Sequence, residues 1–168
     1  MDFITANLSS VHKKNEFCCE KELLDNYLYK QANQDIKRKL SACFVLADNN
    51  SNLIKGYYTL SNSSIPSILI PEEVKKQLPN SYTSIPTTLL GRLAIDKNFK
   101  GNGIGKILLV DALKRCYEIS KTIGSFAVIV DPLDKEAQTF YAKYGFIKLP
   151  DSGKMFLPMK TIQQLFEK

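Results

Sequence analysis

Strand-like and helix-like runs alternate along the 168 residues, which predicts an α/β fold. Two observations sharpen this. Apolar runs such as SFAVIVD (residues 125–131) suit buried strands, and the glycine-rich junction FKGNGIGK (99–106) separates a strand-like run from a long helix-like one. A chain of this length is enough for one domain with a sizeable core, and residues 1–168 are expected to form it.

In chain order, residues 20–40 set Leu24, Leu28, Ala32, Ile36 and Leu40 four apart, a helical stripe. SACFVLAD (41–48) reads as a strand, DNNSN as a polar turn and LIKGYYTLSN (53–62) as the returning strand of a hairpin. PEEVKKQL (71–78) predicts a short helix with proline at its first position and Glu72 and Glu73 in its first turn. Residues 79–86 read as loop, and Pro86 to Ile95 as an apolar strand. The helix after the glycines should turn Leu109, Ala112, Leu113, Cys116 and Ile123 toward a core and end at Gly124. DKEAQTFYAKYG (134–145) predicts a helix closed by Gly145, FIKL and KMFLPM a hairpin, and TIQQLFEK a last helix.

Bulk composition excludes more than it assigns. No apolar run approaches the ~20 residues of a membrane span, and MDFITANLSS lacks the basic-then-apolar pattern of a secretory signal. The four cysteines, Cys18, Cys19, Cys43 and Cys116, show no metal-binding spacing and are expected to be reduced, mostly buried thiols of a cytoplasmic protein. With His12 the sole histidine, a histidine triad, a zinc site or a histidine base has almost nothing to be built from, and no metal is expected. The net charge of +6 is compatible with an anionic ligand or nucleic acid.

Gly101, Gly103 and Gly105 fit neither the dinucleotide fingerprint nor the phosphate loop of nucleotide hydrolases, which needs Ser or Thr where Ile107 stands. The physics common to both still applies. Unpaired N–H groups at a helix N-terminus attract a phosphate or pyrophosphate, glycine lets the main chain approach it, and Lys100 or Lys106 adds charge. The alternative, a tight strand-to-helix turn that merely prefers glycine, stays open on these residues alone.

The stretch LGRLAIDKNFKGNGIGKILLVDALKRC resembles motif A of the GNAT acetyltransferases, with Lys100, Gly101, Asn102, Gly103, Ile104 and Gly105 filling its [R/Q/K]-x-x-G-x-[G/A] pattern. Further on, DKEAQTFYAKYGF resembles motif B, matched at Ala137, Phe140, Tyr141, Gly145 and Phe146, with Asp134 where an asparagine often contacts the cofactor. The resemblance implies a single GNAT fold: a mixed, mostly antiparallel sheet, splayed in the middle, with helices on both faces. It implies acetyl-CoA as donor, its pantetheine arm along the main chain of Leu93, Ala94 and Ile95. The amides from Gly101 to Lys106 would hold the pyrophosphate, and the thioester would lie where the strands part.

Tyr141 resembles the family's general acid, a phenol near pKa ~10 that protonates the departing thiolate. If Phe140 packs inward, Tyr141 should face the cleft, since neighbours on a helix point ~100° apart. A general base is missing: no carboxylate lies between Thr87 and Ile95, and Asp96 comes after the cofactor run. An α-amine, pKa ~7.7–8.0, needs such a base far less than a lysine amine at ~10.4. Glu22, Asp25, Glu73 or water could still serve.

A narrower resemblance is to the acetyltransferase toxins of bacterial toxin–antitoxin pairs. Leu90, Arg92, Leu93, Ala94, Ile95 and Asp96, then Leu108, Leu109, Asp111, Ala112 and Arg115, fill their pattern. It implies acetylation of the α-amine of aminoacyl-tRNA, a block of translation, and a small antitoxin of ribbon-helix-helix type; a homodimer is compatible with it. Lys37, Arg38 and Lys39 are candidate contacts to RNA, or simply the solvated end of a helix. Arg92, inside an apolar strand, is expected on the acceptor side or at a subunit contact. Two other readings remain: a GNAT enzyme for a small amine or a protein N-terminus, and a non-catalytic acyl-CoA-binding regulator.

Overall fold

The computed structural model describes residues 2–167. Met1 and Lys168, which the sequence reading included in the domain and, for Lys168, in the last helix, lie outside the described residues. The elements in order are strand β1 (Ala6–Asn7), helix α1 (Glu22–Asn26), a π-helical turn (Tyr27–Gln31), α2 (Ala32–Lys37), β2 (Ala42–Ala47), β3 (Ile54–Pro66), α3 (Glu72–Lys75), β4 (Ser84–Ile95), α4 (Ile104–Ser120), β5 (Ala127–Val130), α5 (Lys135–Lys143), β6 (Ile147–Lys148), β7 (Met155–Pro158) and α6 (Met159–Phe166). Seven strands hydrogen-bond in the order β1-β2-β3-β4-β5-β7-β6. The fold is the mixed α/β arrangement expected, mostly antiparallel.

The chain divides into two compact units, residues 1–61 with 90–115, and residues 62–89 with 116–168. In the first, β1 and β3 flank β2 antiparallel, with Ala6 opposite Val45 and Cys43 opposite Thr59. The β2–β3 turn is locked by Asp48, whose Oδ2 accepts from the Ser51 amide at 2.8 Å and the Asn50 amide at 3.0 Å. A core of Phe17, Leu28, Ala32, Val45, Tyr57 and Ala94 fills one face. The predicted stripe of residues 20–40 supplies Leu28 and Ala32, both fully buried. Leu40 departs from it and is 61% exposed. The helix has stopped at Lys37, and Lys39 takes a left-handed φ of 60° that turns the chain away.

In the second unit, β4 and β5 are parallel, with Thr87 opposite Ala127 and Leu89 opposite Ile129; β4 runs on to Ile95 past that ladder. β7 lies antiparallel to β5 and to β6. Ile65, Ile85, Ala127, Ile129 and Phe156 form the core. Pro71 caps α3 rather than beginning it, which suits a residue with no N–H to donate. Ser84 and Ile85, expected as loop, already belong to β4. α4 ends at Ser120, before Gly124, so Ile123 falls beyond the helix and is 62% exposed instead of buried.

Candidate active site

Of the donor-binding residues named from sequence, Leu93 to Ile95 and Lys100 to Lys106 fall in the first unit, on either side of Asp96. Its carboxylate, 4% exposed, accepts from the Cys18 amide at 3.0 Å and the Asn98 amide at 2.9 Å. Its own amide donates to Lys55 O at 2.9 Å, and the Lys97 amide to Cys18 O at 2.8 Å. The end of β4 is therefore fixed on both sides before the glycines start. Asp96 is a brace, and both its oxygens are committed. Of the three carboxylates named as possible bases, Asp25 is likewise buried, with Oδ1 accepting from the Cys19 amide at 2.8 Å, whereas Glu22 and Glu73 are exposed.

Gly101 (φ +84°) and Gly103 (φ +74°) adopt the left-handed backbone, with open space where a side chain would begin. Conformation, not crowding, demands glycine at both. Gly101, Asn102, Gly103 and Lys106 are exposed, and Ile104 and Gly105 half-buried. Ile107 is the first residue of α4 whose amide meets a carbonyl, that of Gly103 at 3.2 Å. The preceding amides make no hydrogen bond within the described residues and face the positive end of a 17-residue helix. The arrangement can hold an anion.

Lys100 corrects a simple expectation. Its Nζ donates to Cys19 O at 2.9 Å and lies 4.0 Å from a Glu20 carboxylate oxygen. In this conformation its side chain ties the loop to residues 19–20 and contributes structure, which leaves the open amides and the exposed Lys106 to face an anion.

Sequence reasoning missed Gly56, which seats the helix. A Cβ there would lie 2.6 Å from Leu108 Cδ1 and 3.0 Å from Ala94 O. Glycine in the middle of a strand is the signal that could have found it. Also missed was the role of Asp111, 5% exposed on α4. Its carboxylate accepts from Thr5 Oγ1 at 2.5 Å, Tyr58 Oη at 2.7 Å and the Ile4 amide at 2.9 Å. Arg115, whose guanidinium lies 4.0 Å from the ring centres of both Phe3 and Phe44, donates to Tyr58 Oη and Thr5 Oγ1 at 3.0 Å each.

The remaining predicted site residues lie in the second unit. Asp134 is the N-cap of α5, accepting from the Ala137 amide at 2.9 Å, so this carboxylate is engaged in holding the helix. The expected orientation of the aromatic pair is reversed. Tyr141 is the buried ring, 7% exposed, and Phe140 is half-buried. The reason is the helix end: Gly145, at φ +94°, turns the chain so that the Phe146 amide reaches Tyr141 O at 3.2 Å. The Tyr141 ring centre then lies 5.2 Å from that of Phe146 and 5.3 Å from that of Phe140. Burial pushes the Tyr141 phenol up from its ordinary value, and its hydroxyl has no hydrogen-bond partner among the described residues.

Lys37, Arg38 and Lys39 are exposed where α2 ends. Arg92 is half-buried, its guanidinium carbon 3.4 Å from the centre of the Tyr27 ring. Among the described residues no helix is long and apolar enough to cross a membrane.

A strand that ends in a braced turn, two left-handed glycines and a long helix with open amides form a main-chain cradle that suits an anionic ligand. Residues 10–161 match the family described as "Acetyltransferase (GNAT) domain", and the chain belongs to the GNAT acetyltransferases. It is 32% identical to a tRNA-acetylating toxin of Mycobacterium tuberculosis, over 94% of this chain and 93% of that one. Among solved structures it resembles AtaT complexed with acetyl-methionyl-tRNAfMet, with a TM-score of 0.89 and 30% identity over 98% of this chain and 99% of that one. It also resembles a tyrosine-to-phenylalanine variant of the AtaT toxin bound to the C-terminus of the antitoxin AtaR and acetyl-CoA, with a TM-score of 0.83 and 27% identity over the whole of both chains.

Proposed function

We propose that this protein is an acetyl-CoA-dependent N-acetyltransferase that acetylates the α-amine of aminoacyl-tRNA and so blocks translation, as the toxin of a toxin–antitoxin pair. The observation that carries the donor half is the run of open amides between Gly101 and Lys106, presented by left-handed glycines at the head of α4. The acceptor half is supported by the likeness, over nearly all of both chains, to a tRNA-acetylating toxin and to AtaT with its acetylated tRNA. Residues 1–168 act as one acetyltransferase domain, in the cytoplasm, where charged tRNA is found. An antitoxin is the expected protein partner, since AtaT is held by the C-terminus of AtaR, and a homodimer is compatible with the reading.

Acetyl-CoA supplies an activated acyl group. The main chain of Leu93, Ala94 and Ile95 orients its arm, an N–H of that run stabilises the developing oxyanion, and the amides of Gly101, Asn102, Gly103, Ile104, Gly105 and Lys106 bind the pyrophosphate. Ala137 and Phe140 flank the donor on α5, with Asp134 acting through the cap it provides. Tyr141 delivers its proton to the departing thiolate, and the proton that the amine sheds as the amide forms returns, through water, to the tyrosine oxygen. The acceptor amine, pKa ~7.7–8.0 for an α-amine, is substantially neutral without a dedicated base, which fits Asp25 and Asp96 being committed to main-chain donors. Lys37, Arg38, Lys39 and Arg92 contact the RNA.

Purified protein with labelled acetyl-CoA should acetylate charged tRNA and leave deacylated tRNA unlabelled. Turnover on polyamines or peptide N-termini, with none on charged tRNA, would overturn the acceptor and leave the family assignment standing.

A further inference from the structure

Arg92 is the one charged residue of β4, and the donor loop makes no use of it. Among the described residues no carboxylate forms an ion pair with it. Its partner is the Tyr27 ring, 3.4 Å from the guanidinium carbon. That ring is itself held still. Its hydroxyl donates to Asp35 Oδ2 at 2.8 Å, it stacks with Tyr57 at 6.5 Å between centres and 13° between planes, and the Tyr57 hydroxyl donates to Leu24 O at 2.7 Å.

A second observation is independent of the arginine. Thr59 is 1% exposed, and its hydroxyl has no hydrogen-bond partner. Alternation along a strand puts Thr59 on the same face as Tyr57, and Arg92 on the same face as Ala94. Tyr57 and Ala94 share one core cluster, so these faces are one. Thr59 also lies opposite Cys43 on β2, and β3 runs between β2 and β4. The unpartnered hydroxyl therefore sits on the strand that separates Cys43 from Arg92. Burial pushes the Cys43 thiol up to about 12, with the Arg92 charge opposing the shift.

We infer that Arg92, braced on Tyr27 on the sheet face that carries Thr59, is the receptor for a phosphodiester near the acceptor end of the charged tRNA. The inference rests on the acceptor proposed above. A guanidinium binds a phosphate through two parallel N–H donors, and stacking fixes the plane of that fork before the ligand arrives, which lowers the cost of ordering it. The Tyr27 face already carries the guanidinium, so the niche is an electrostatic clamp and not a platform for a base. Arg92 directly precedes Leu93–Ile95, the run assigned to the donor's arm. A group it holds must then belong to the molecule that meets the donor there. Half-burial suits an unpaired 3′ strand, which is narrow, over a duplex.

The test is steady-state kinetics of the full chain with charged tRNA across a salt series, for wild type, Arg92→Gln and Arg92→Lys. Arg92→Gln should raise KM for charged tRNA about tenfold or more. It should flatten the log–log salt dependence by about one phosphate contact, and KM for acetyl-CoA should stay unchanged. Arg92→Lys keeps the charge and loses the fork, so the salt slope should persist while KM rises less. Tyr27→Phe, which frees the brace from Asp35, should raise KM without altering the slope. An active wild type with Arg92→Gln indistinguishable from it in KM and slope sinks this inference alone. Weakened binding of an acidic antitoxin segment, with tRNA kinetics unchanged, would overturn it in favour of a protein ligand. A wild type inert on charged tRNA removes both this inference and the proposed acceptor.

Discussion

The two units handle buried polarity in opposite ways. The first carries every buried carboxylate among the described residues, Asp25, Asp96 and Asp111, and each accepts from amides or hydroxyls within 3.0 Å. Among the described residues the second buries no carboxylate, and its reactive candidate, Tyr141, sits in a group of aromatic rings. Buried charge is tolerated in the first unit because it is satisfied, and that satisfaction fixes a loop whose main chain must be correctly aimed. In the second unit polar neighbours are few around Tyr141, and a desolvated phenol resists ionising and so stays protonated.

The sharpest way to break this contrast is Tyr141→Phe. The hydroxyl has no partner among the described residues to lose, so stability should hardly change, while kcat should fall by roughly 10²–10⁴, the range for removing a general acid. The protonated phenol is the competent form. An unperturbed tyrosine would lose it near pH ~10, and burial moves that loss to still higher pH. The kcat of the wild type should therefore show no alkaline fall from this group up to pH ~10. Full turnover in the phenylalanine variant would assign the proton to another donor.

Legibility in the sequence followed another divide, between what neighbouring residues decide and what distant ones decide. Periodicity and turn chemistry located β2, β3, α4, α5 and the final hairpin, because each depends on its own residues. The glycine loop was legible for the same reason: a left-handed backbone at Gly101 and Gly103 leaves a local mark in the sequence. What distant partners decide was not. Nothing near Asp111 announces that Thr5 and Tyr58 will come to it, and nothing near Lys100 that it will reach back to Cys19. The 100° step of a helix correctly separated Phe140 from Tyr141, yet could not say which one the turn at Gly145 would bury.

Asp111→Ala tests whether the wired frame of the first unit matters as a frame. Removing it strips acceptors from Thr5, Tyr58 and the Ile4 amide and leaves Arg115, with 16% of its side chain exposed, facing no counter-charge. Loss of one partner of a buried pair costs about 3–5 kcal/mol. Urea unfolding should show a loss of that order, and Asp111→Asn, which keeps an acceptor oxygen, a smaller one. A change below about 1 kcal/mol, the level of an exposed pair, would mean that the contacts are incidental.

Gly56→Ala probes the same frame at its lightest point. The new methyl would meet Leu108 Cδ1 at 2.6 Å, Ala94 O at 3.0 Å and Ile95 Cδ1 at 3.2 Å. Leu108 is fully buried, so its side chain has little room to turn, and Ala94 O is main chain on the strand proposed to hold the donor. Overpacking of this kind costs about 1–3 kcal/mol, and relief must come from α4 lifting away from β3. A lifted helix re-aims its N-terminal amides, so KM for acetyl-CoA should rise several-fold while kcat at saturating donor stays near wild type. Leu108→Val in the same chain gives the methyl room, and should recover part of the stability and of the donor affinity together. Recovery of stability without recovery of affinity would separate the packing of α4 from the aim of the glycine loop.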